Sequence, residues 1–231
     1  MDTASTSPTP DEVQDRLARH LRRWLGAWPP TGGVTVVGSA ARQAAGWDGR
    51  VRSLAGVSTP EGTILSVPPD RVAAVMQGDG SLDSVLDRLP AALGRPGGQV
   101  GRGAFRFATT VPDLGRMGEW VPAEDARVPA WLRPFGGEVL VVFGDDGRYV
   151  AGLGIKRHDD LGQEVAVATE EAWRGKGLAR GLVARAARRI LRRGGVPIYL
   201  HGLSNAASAH VAAAAGFPDL GWSIIGLPTA T

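Results

Sequence analysis

The chain contains no cysteine. That absence excludes disulfide bonds, thiolate-held zinc and any acyl-enzyme intermediate on cysteine, which would make direct attack by the acceptor the simpler route for an acyl transfer. No metal site is expected. Long apolar runs are missing too: nothing approaches the ~20 residues of a membrane-spanning helix. The opening residues, Met1 to Glu12, are rich in Ser, Thr and Pro and have neither a basic start nor an apolar segment. That argues against a secretory signal and makes a cytoplasmic location, with no membrane partner, the expectation. Lysine is nearly absent, with Lys156 and Lys176 the only two, so the net charge of +3 comes from arginine in a chain also rich in Ala and Gly. A high-GC coding bias produces that composition, which therefore says little about partners.

Two common phosphate-binding patterns are also missing. No lysine stands in a G-x-x-x-x-G-K-[ST] run, which excludes a P-loop. Gly175, Gly177 and Gly181 are spaced G-x-G-x-x-x-G, one residue longer than the dinucleotide fingerprint, and no acidic residue ends a following strand at the expected distance.

What is present is a strand that turns through glycines into a helix. Glu164-Val165-Ala166-Val167-Ala168-Thr169 alternates as a strand, Arg174-Gly175-Lys176-Gly177-Leu178-Ala179 follows, and Leu178, Leu182, Ala186 and Ile190 recur at helical spacing over 177–193. Glycines let backbone N–H groups turn to one side, a helix N-terminus adds partial positive charge, and Arg174 and Lys176 add full charges. The combination predicts a site for a ligand that carries a pyrophosphate.

The surrounding pattern is α/β, and 43% hydrophobic residues over 231 suffice for one large or two small packed domains. Strands are expected at 138–143 and 148–157, joined by the turn Gly144-Asp145-Asp146-Gly147. A short strand at 196–200, an Ala-rich helix at 205–215 closed by Gly216-Phe217, and a last strand at 222–227 complete this half. The first half reads as a helix at 11–28 with Trp24 and Trp28 in the core, strands at 34–37, 52–57, 63–67 and 105–109, and helices at 70–77 and 81–93. The glycine-rich stretch 94–103 reads as a loop. Proline punctuates 111–134, where a short helix is expected at 124–132. The expected domains are a divergent N-terminal α/β domain at 11–112, a linker at 113–134 and a second domain at 135–231.

Arg174, Gly177 and Ala179 form R-x-x-G-x-A, which resembles the acyl-coenzyme A signature of the GNAT superfamily of N-acetyltransferases. Asn205, Ser208, Gly216 and Phe217 are similar to that family's second signature, an N-x-x-[AS] helix start and a closing G-F, and the strand and helix order from 138 onward fits. The resemblance implies an α+β fold with a mixed, mostly antiparallel central sheet flanked by helices, the first half being a possible degenerate copy of the same fold. It implies acetyl-CoA (coenzyme A) as cofactor and a small-molecule or peptide amine as acceptor. Ala166, Val167, Ala168 and Thr169 would line the pantetheine arm. Backbone N–H groups of Arg174, Gly175, Lys176, Gly177, Leu178 and Ala179 would hold the pyrophosphate. Asn205 would bond the arm, Ser208 the arm or phosphate, and an N–H near Val167 the thioester carbonyl.

For the base that the attacking amine needs, Glu164 is the first candidate, with His158 and His201 behind it and Glu170 and Glu171 read as structural. One departure stands out. Many family members protonate the departing thiolate with a tyrosine five residues before the G-F phenylalanine, and that position here is Ala212. Either His210, Ser208 or water substitutes, or the thiolate leaves without a protein acid. Three functions therefore compete: an N-acetyltransferase working by direct attack, a non-catalytic acyl-CoA-binding or regulatory module, and a nucleic-acid binder using Arg180, Arg185, Arg188, Arg189, Arg192 and Arg193. Without interleaved aromatics the arginines read as a solvated face, so nucleic acid is the least favoured. Only one strand follows Gly216-Phe217, so the sheet's edge would come from the first half or from a second copy in a homodimer.

Overall fold

Four consecutive apolar residues, Val139 to Val142, call for a strand covered on both faces, because successive side chains of a strand point to opposite sides. The computed structural model, which describes residues 8–77 and 80–227, supplies both covers. Its elements in chain order are α1 (Pro10–Leu25), β1 (Val34–Gly38), β2 (Ala55–Thr59), β3 (Gly62–Val67), α2 (Val72–Val75), α3 (Leu82–Ala92), β4 (Gly101–Phe107) and β5 (Glu119–Pro122). There follow β6 (Glu138–Phe143), β7 (Tyr149–Arg157), β8 (Gly162–Thr169), α4 (Leu178–Arg192), β9 (Val196–Gly202), α5 (Ala206–Ala214) and β10 (Ser223–Gly226). The chain divides into two units.

One unit comprises Arg106–Tyr199, Asn205–Pro218 and the start of α1. β5, β6, β7 and β8 pair antiparallel in succession, and β8 pairs with β9 in parallel across the helix α4. Leu140 of β6 joins the core under α4, with Leu182, Val183, Ala186 and Ile190, while Val139 and Val141 join a second core with Val121, Val128 and Leu132. Each such aliphatic side chain removed from water contributes about 1.5–3 kcal/mol. The helix expected at 124–132 is not formed; a 3-10 turn, Ala130–Phe135, stands later instead. Pro129 lacks an N–H and disfavours helical geometry in the residue before it, which explains the shift. That turn packs on β7 and dictates its glycines: a Cβ on Gly152 would stand 2.6 Å from Leu132 Cδ1, and one on Gly154 would overlap the Phe135 ring.

The other unit comprises Ala18–Phe105, Leu200–Ser204 and the chain from Asp219. Its strands run in the order β1-β3-β2-β10-β4, parallel between β1 and β3 and antiparallel elsewhere. Leu65, Val67, Val85, Leu89 and Ile225 are among its core residues. Three expectations shift here. The strand expected at 52–57 starts at Ala55, because Arg52 is held in a turn by Asp48, at 2.8 and 2.7 Å. The helix expected at 70–77 is the single turn α2. The glycine stretch read as a loop enters β4 at Gly101, and a Cβ on Gly103 would meet the His201 carbonyl at 2.7 Å, so glycine serves close approach there. The last strand, β10, lies between β2 and β4, both from the first half of the chain. Among the described residues no helix is long and apolar enough to cross a membrane.

Candidate functional site

After β8 a 3-10 turn, Glu171–Trp173, leads through Gly175 (φ 77°) and Gly177 (φ 78°) into α4. Both lie in the left-handed region, which costs a residue with a side chain about 1–2 kcal/mol. Gly177 is the N-cap of α4, and no side chain caps the helix. The N–H groups of Gly175, Lys176, Gly177, Leu178 and Ala179 have no hydrogen-bond partner among the described residues. Arg174 Nε donates to Thr169 O at 3.4 Å, and Lys176 Nζ lies 4.1 Å from the Trp173 ring centroid. An anion at this turn would meet backbone donors, the helix dipole and two cations.

The parallel ladder between β8 and β9 runs from Gly162↔Val196 to Val165↔Tyr199 and stops. β8 continues through Ala166, Val167, Ala168 and Thr169, which pair with β7 alone. This stretch therefore offers one backbone edge without a strand partner, and it leads straight into the glycine turn. At the ladder's end the Tyr199 hydroxyl lies 2.9 Å from Ser208 Oγ, in the first turn of α5. Asn205 caps that helix, its Oδ1 accepting the Ser208 N–H at 3.0 Å. Sequence reasoning missed Tyr199. It lies nine residues before Ser208, on a different element, and no local pattern marks the pair.

The acetyltransferase (GNAT) family model matches residues 110–217. That stretch, just under half of the chain, is similar to a GNAT acetyltransferase domain. Among solved structures, a GNAT-family protein from Novosphingobium aromaticivorans is 25% identical, over 58% of this chain and 66% of that chain, with a TM-score of 0.46. A GNAT-family acetyltransferase from Colwellia psychrerythraea is 14% identical, over 64% of this chain and 62% of that one, with a TM-score of 0.46. A GCN5-related N-acetyltransferase-like protein from Streptococcus suis is 16% identical, over 94% of this chain and 100% of that one, with a TM-score of 0.49. The chain thus spans slightly under two thirds of the first two. Among curated proteins none matches the sequence.

Within this matched stretch the titratable groups are distributed unevenly. Glu164 is buried on β8, opposite Lys156 on β7; its Oε1 pairs with Lys156 Nζ and its Oε2 lies 3.0 Å from His158 Nε2. Burial works to raise the Glu164 carboxyl, but the His158 hydrogen bond and the Lys156 charge outweigh it, so its net shift is downward. His210 is exposed on α5, whereas His201 stands near the end of β9 with Nδ1 2.9 Å from the Gly202 carbonyl. Ala212 is fully buried beside Tyr199 and Phe217. Glu170 and Glu171 are exposed before the glycine turn.

The arginines of α4 are not a merely solvated face. Arg185 donates to the carbonyls of Met117 and Gly118, and Arg188 to those of Pro112 and Gly115. Arg189 pairs with Glu138, and its guanidinium stands 3.9 Å from the Trp120 ring centroid. These bonds tie the segment leading into β5 onto α4. They leave a cleft of about 770 Å³, lined in part by Arg192 and Arg193.

Proposed function

We propose that this protein is an N-acetyltransferase that moves an acetyl group from acetyl-CoA to an amine acceptor by direct attack. The carrying observation is the run of unpartnered N–H groups from Gly175 to Ala179 at the uncapped start of α4. These residues suit a pyrophosphate: the glycines keep side chains out, and Arg174 and Lys176 supply charge. The open edge of Ala166–Thr169 suits the amides of a pantetheine arm, which can pair as an added strand would. An N–H near Val167 would polarise the thioester carbonyl.

The acceptor must lose a proton to attack. We assign that role to the Glu164–His158 pair. Its carboxylate is 7% exposed and its imidazole 15%, so His158 is the member more readily reached from outside and Glu164 holds its ring. A small-molecule or peptide amine fits this chemistry. The alternative, a coenzyme-binding module without turnover, draws support from Ala212, which has no proton to give.

Calorimetric titration with acetyl-CoA and with coenzyme A, repeated on Gly177→Glu, tests the coenzyme reading. Micromolar binding lost in the variant is the expected result. A thiol-release screen across amines then separates enzyme from binding module. Failure of both ligands to bind the wild type would overturn the proposal.

A further inference from the structure

The ladder between β8 and β9 closes at Val165↔Tyr199, so Tyr199 marks the end of the open edge farthest from the glycine turn. A donor anchored by its phosphates at 175–179 and lying along Thr169 to Ala166 carries its reactive sulfur toward that end. This step rests on the coenzyme reading above. Tyr199 is 3% exposed, its ring packs on Phe217, and its hydroxyl is bonded to Ser208 Oγ, which is half-buried. The Arg106 guanidinium, buried and donating to the Phe217 carbonyl, is the charge that reaches the phenol. Ala212, one helical turn beyond Ser208, is completely buried and carries no proton.

We infer that the Tyr199–Ser208 hydroxyl pair is the acid that protonates the departing thiolate, with Ser208 as the group facing the sulfur and Tyr199 as the proton source behind it. The amine nitrogen attacks the thioester carbonyl carbon, forming a C–N bond, and the C–S bond breaks with its electron pair remaining on sulfur. Ser208 gives its proton to the sulfur and takes that of Tyr199, leaving a phenolate next to the positive charge of Arg106. The proton lost by the acceptor nitrogen returns to Tyr199 through the base and solvent, so none is gained or lost overall. Burial raises the Tyr199 phenol, and the Ser208 bond and the Arg106 charge oppose that rise by favouring the phenolate. The second tyrosine does not compete: Tyr149 packs with the other core, donates to Ala168 O at 3.4 Å, and is pushed up to about 12, mainly by burial.

The same hydrogen bond that delivers a proton also stabilises a bound thiolate, which gives a readout independent of turnover. Coenzyme A bound to the full chain is titrated by the ultraviolet absorbance of its thiolate, with desulpho-coenzyme A as the blank, in wild type, Tyr199→Phe and Ser208→Ala. The expected result is a thiol that ionises at least roughly tenfold less readily in both variants. Affinity of Tyr199→Phe for desulpho-coenzyme A should stay within about threefold of wild type. If Tyr199→Phe does not fold, Ser208→Ala alone decides, since it keeps the buried phenol. An identical titration in wild type and variant, with coenzyme A bound, overturns the hydroxyl pair and leaves the coenzyme site standing. Absence of coenzyme A binding by the wild type overturns the proposed function, and this inference with it.

Discussion

Each unit contains a strand, a helix and a returning strand, β3–α3–β4 in one and β8–α4–β9 in the other, and the two are finished in opposite ways. α3 is capped at its start by Ser81, whose Oγ accepts the Ser84 N–H at 3.4 Å. Positive-φ Gly80 stands just before that cap, and Gly94 and Gly97 come after the helix end. α4 takes positive-φ Gly177 as its N-cap, with Gly175 two residues earlier and Gly194 after its end, and has no side-chain cap. The sheets differ as well: β8 and β9 are parallel neighbours, while β2 and β10 separate β3 from β4. A protein that satisfies a helix start with its own serine has closed it, and one that leaves glycines there has kept the donors for something else. The side-chain cap, not glycine content, separates the closed start of α3 from the candidate ligand site at α4.

Gly177→Glu breaks this comparison most severely. It forces a side chain into φ 78°, brings a Cβ to 2.9 Å from Arg180 Nε and adds a negative charge where phosphates would sit. A loss of roughly a thousandfold in acetyl-CoA affinity, about 4 kcal/mol, is expected by calorimetry. Wild-type affinity in the variant would move the site elsewhere. Glu164→Gln comes next. Removing one member of a buried ion pair should cost about 3 kcal/mol in urea unfolding, since Lys156 and His158 lose their shared carboxylate. Because the folded carboxyl is shifted downward, its stabilisation is complete above the unfolded value of about 4.3 and is lost as pH falls through the lower folded value. The variant should therefore show a flatter acid limb in its stability profile, and an unchanged acid limb would show that the carboxylate does not hold this face together.

Gly154→Ala tests the same unit away from the ligand turn. The new methyl collides with Phe135, and overpacking of this kind typically costs about 1–3 kcal/mol, readable as a lowered Tm. Coenzyme affinity measured well below that Tm should be unchanged. A large loss of affinity would mean that the packing beneath β7 sets the edge offered by β8.

What could be read in the sequence was what each segment specifies locally. The alternation of 164–169, the glycine turn, the helical spacing after it and the Asn205 cap are all short-range signals, and each element stands within a few residues of its expected place. The misses have a different character. The α4 arginines bind backbone carbonyls, which leave no mark in a sequence. The destination of β10 depends on which open sheet edges exist once β2 and β4 have formed. β5 was hidden in a proline-rich stretch because its strand is only four residues long. Tyr199 and Ser208 meet only after a strand and a helix have packed.

The smallest prediction is also the sharpest check on the comparison. Ser81→Ala removes the cap of α3 and leaves a helix start with an unsatisfied donor, as α4 has, but with Gly80 alone in place of the Gly175 and Gly177 pair and without flanking cations. Loss of a cap of this kind costs about 1 kcal/mol, so a modest fall in stability is expected from denaturant unfolding. The variant should gain no second coenzyme site: calorimetric stoichiometry with acetyl-CoA should remain that of the wild type. If a second site did appear, an uncapped helix end alone would suffice to bind the phosphates, and the φ of Gly175 and Gly177 would lose its meaning. If stoichiometry holds while stability drops, the glycine turn and not the bare helix dipole is what distinguishes α4 from α3.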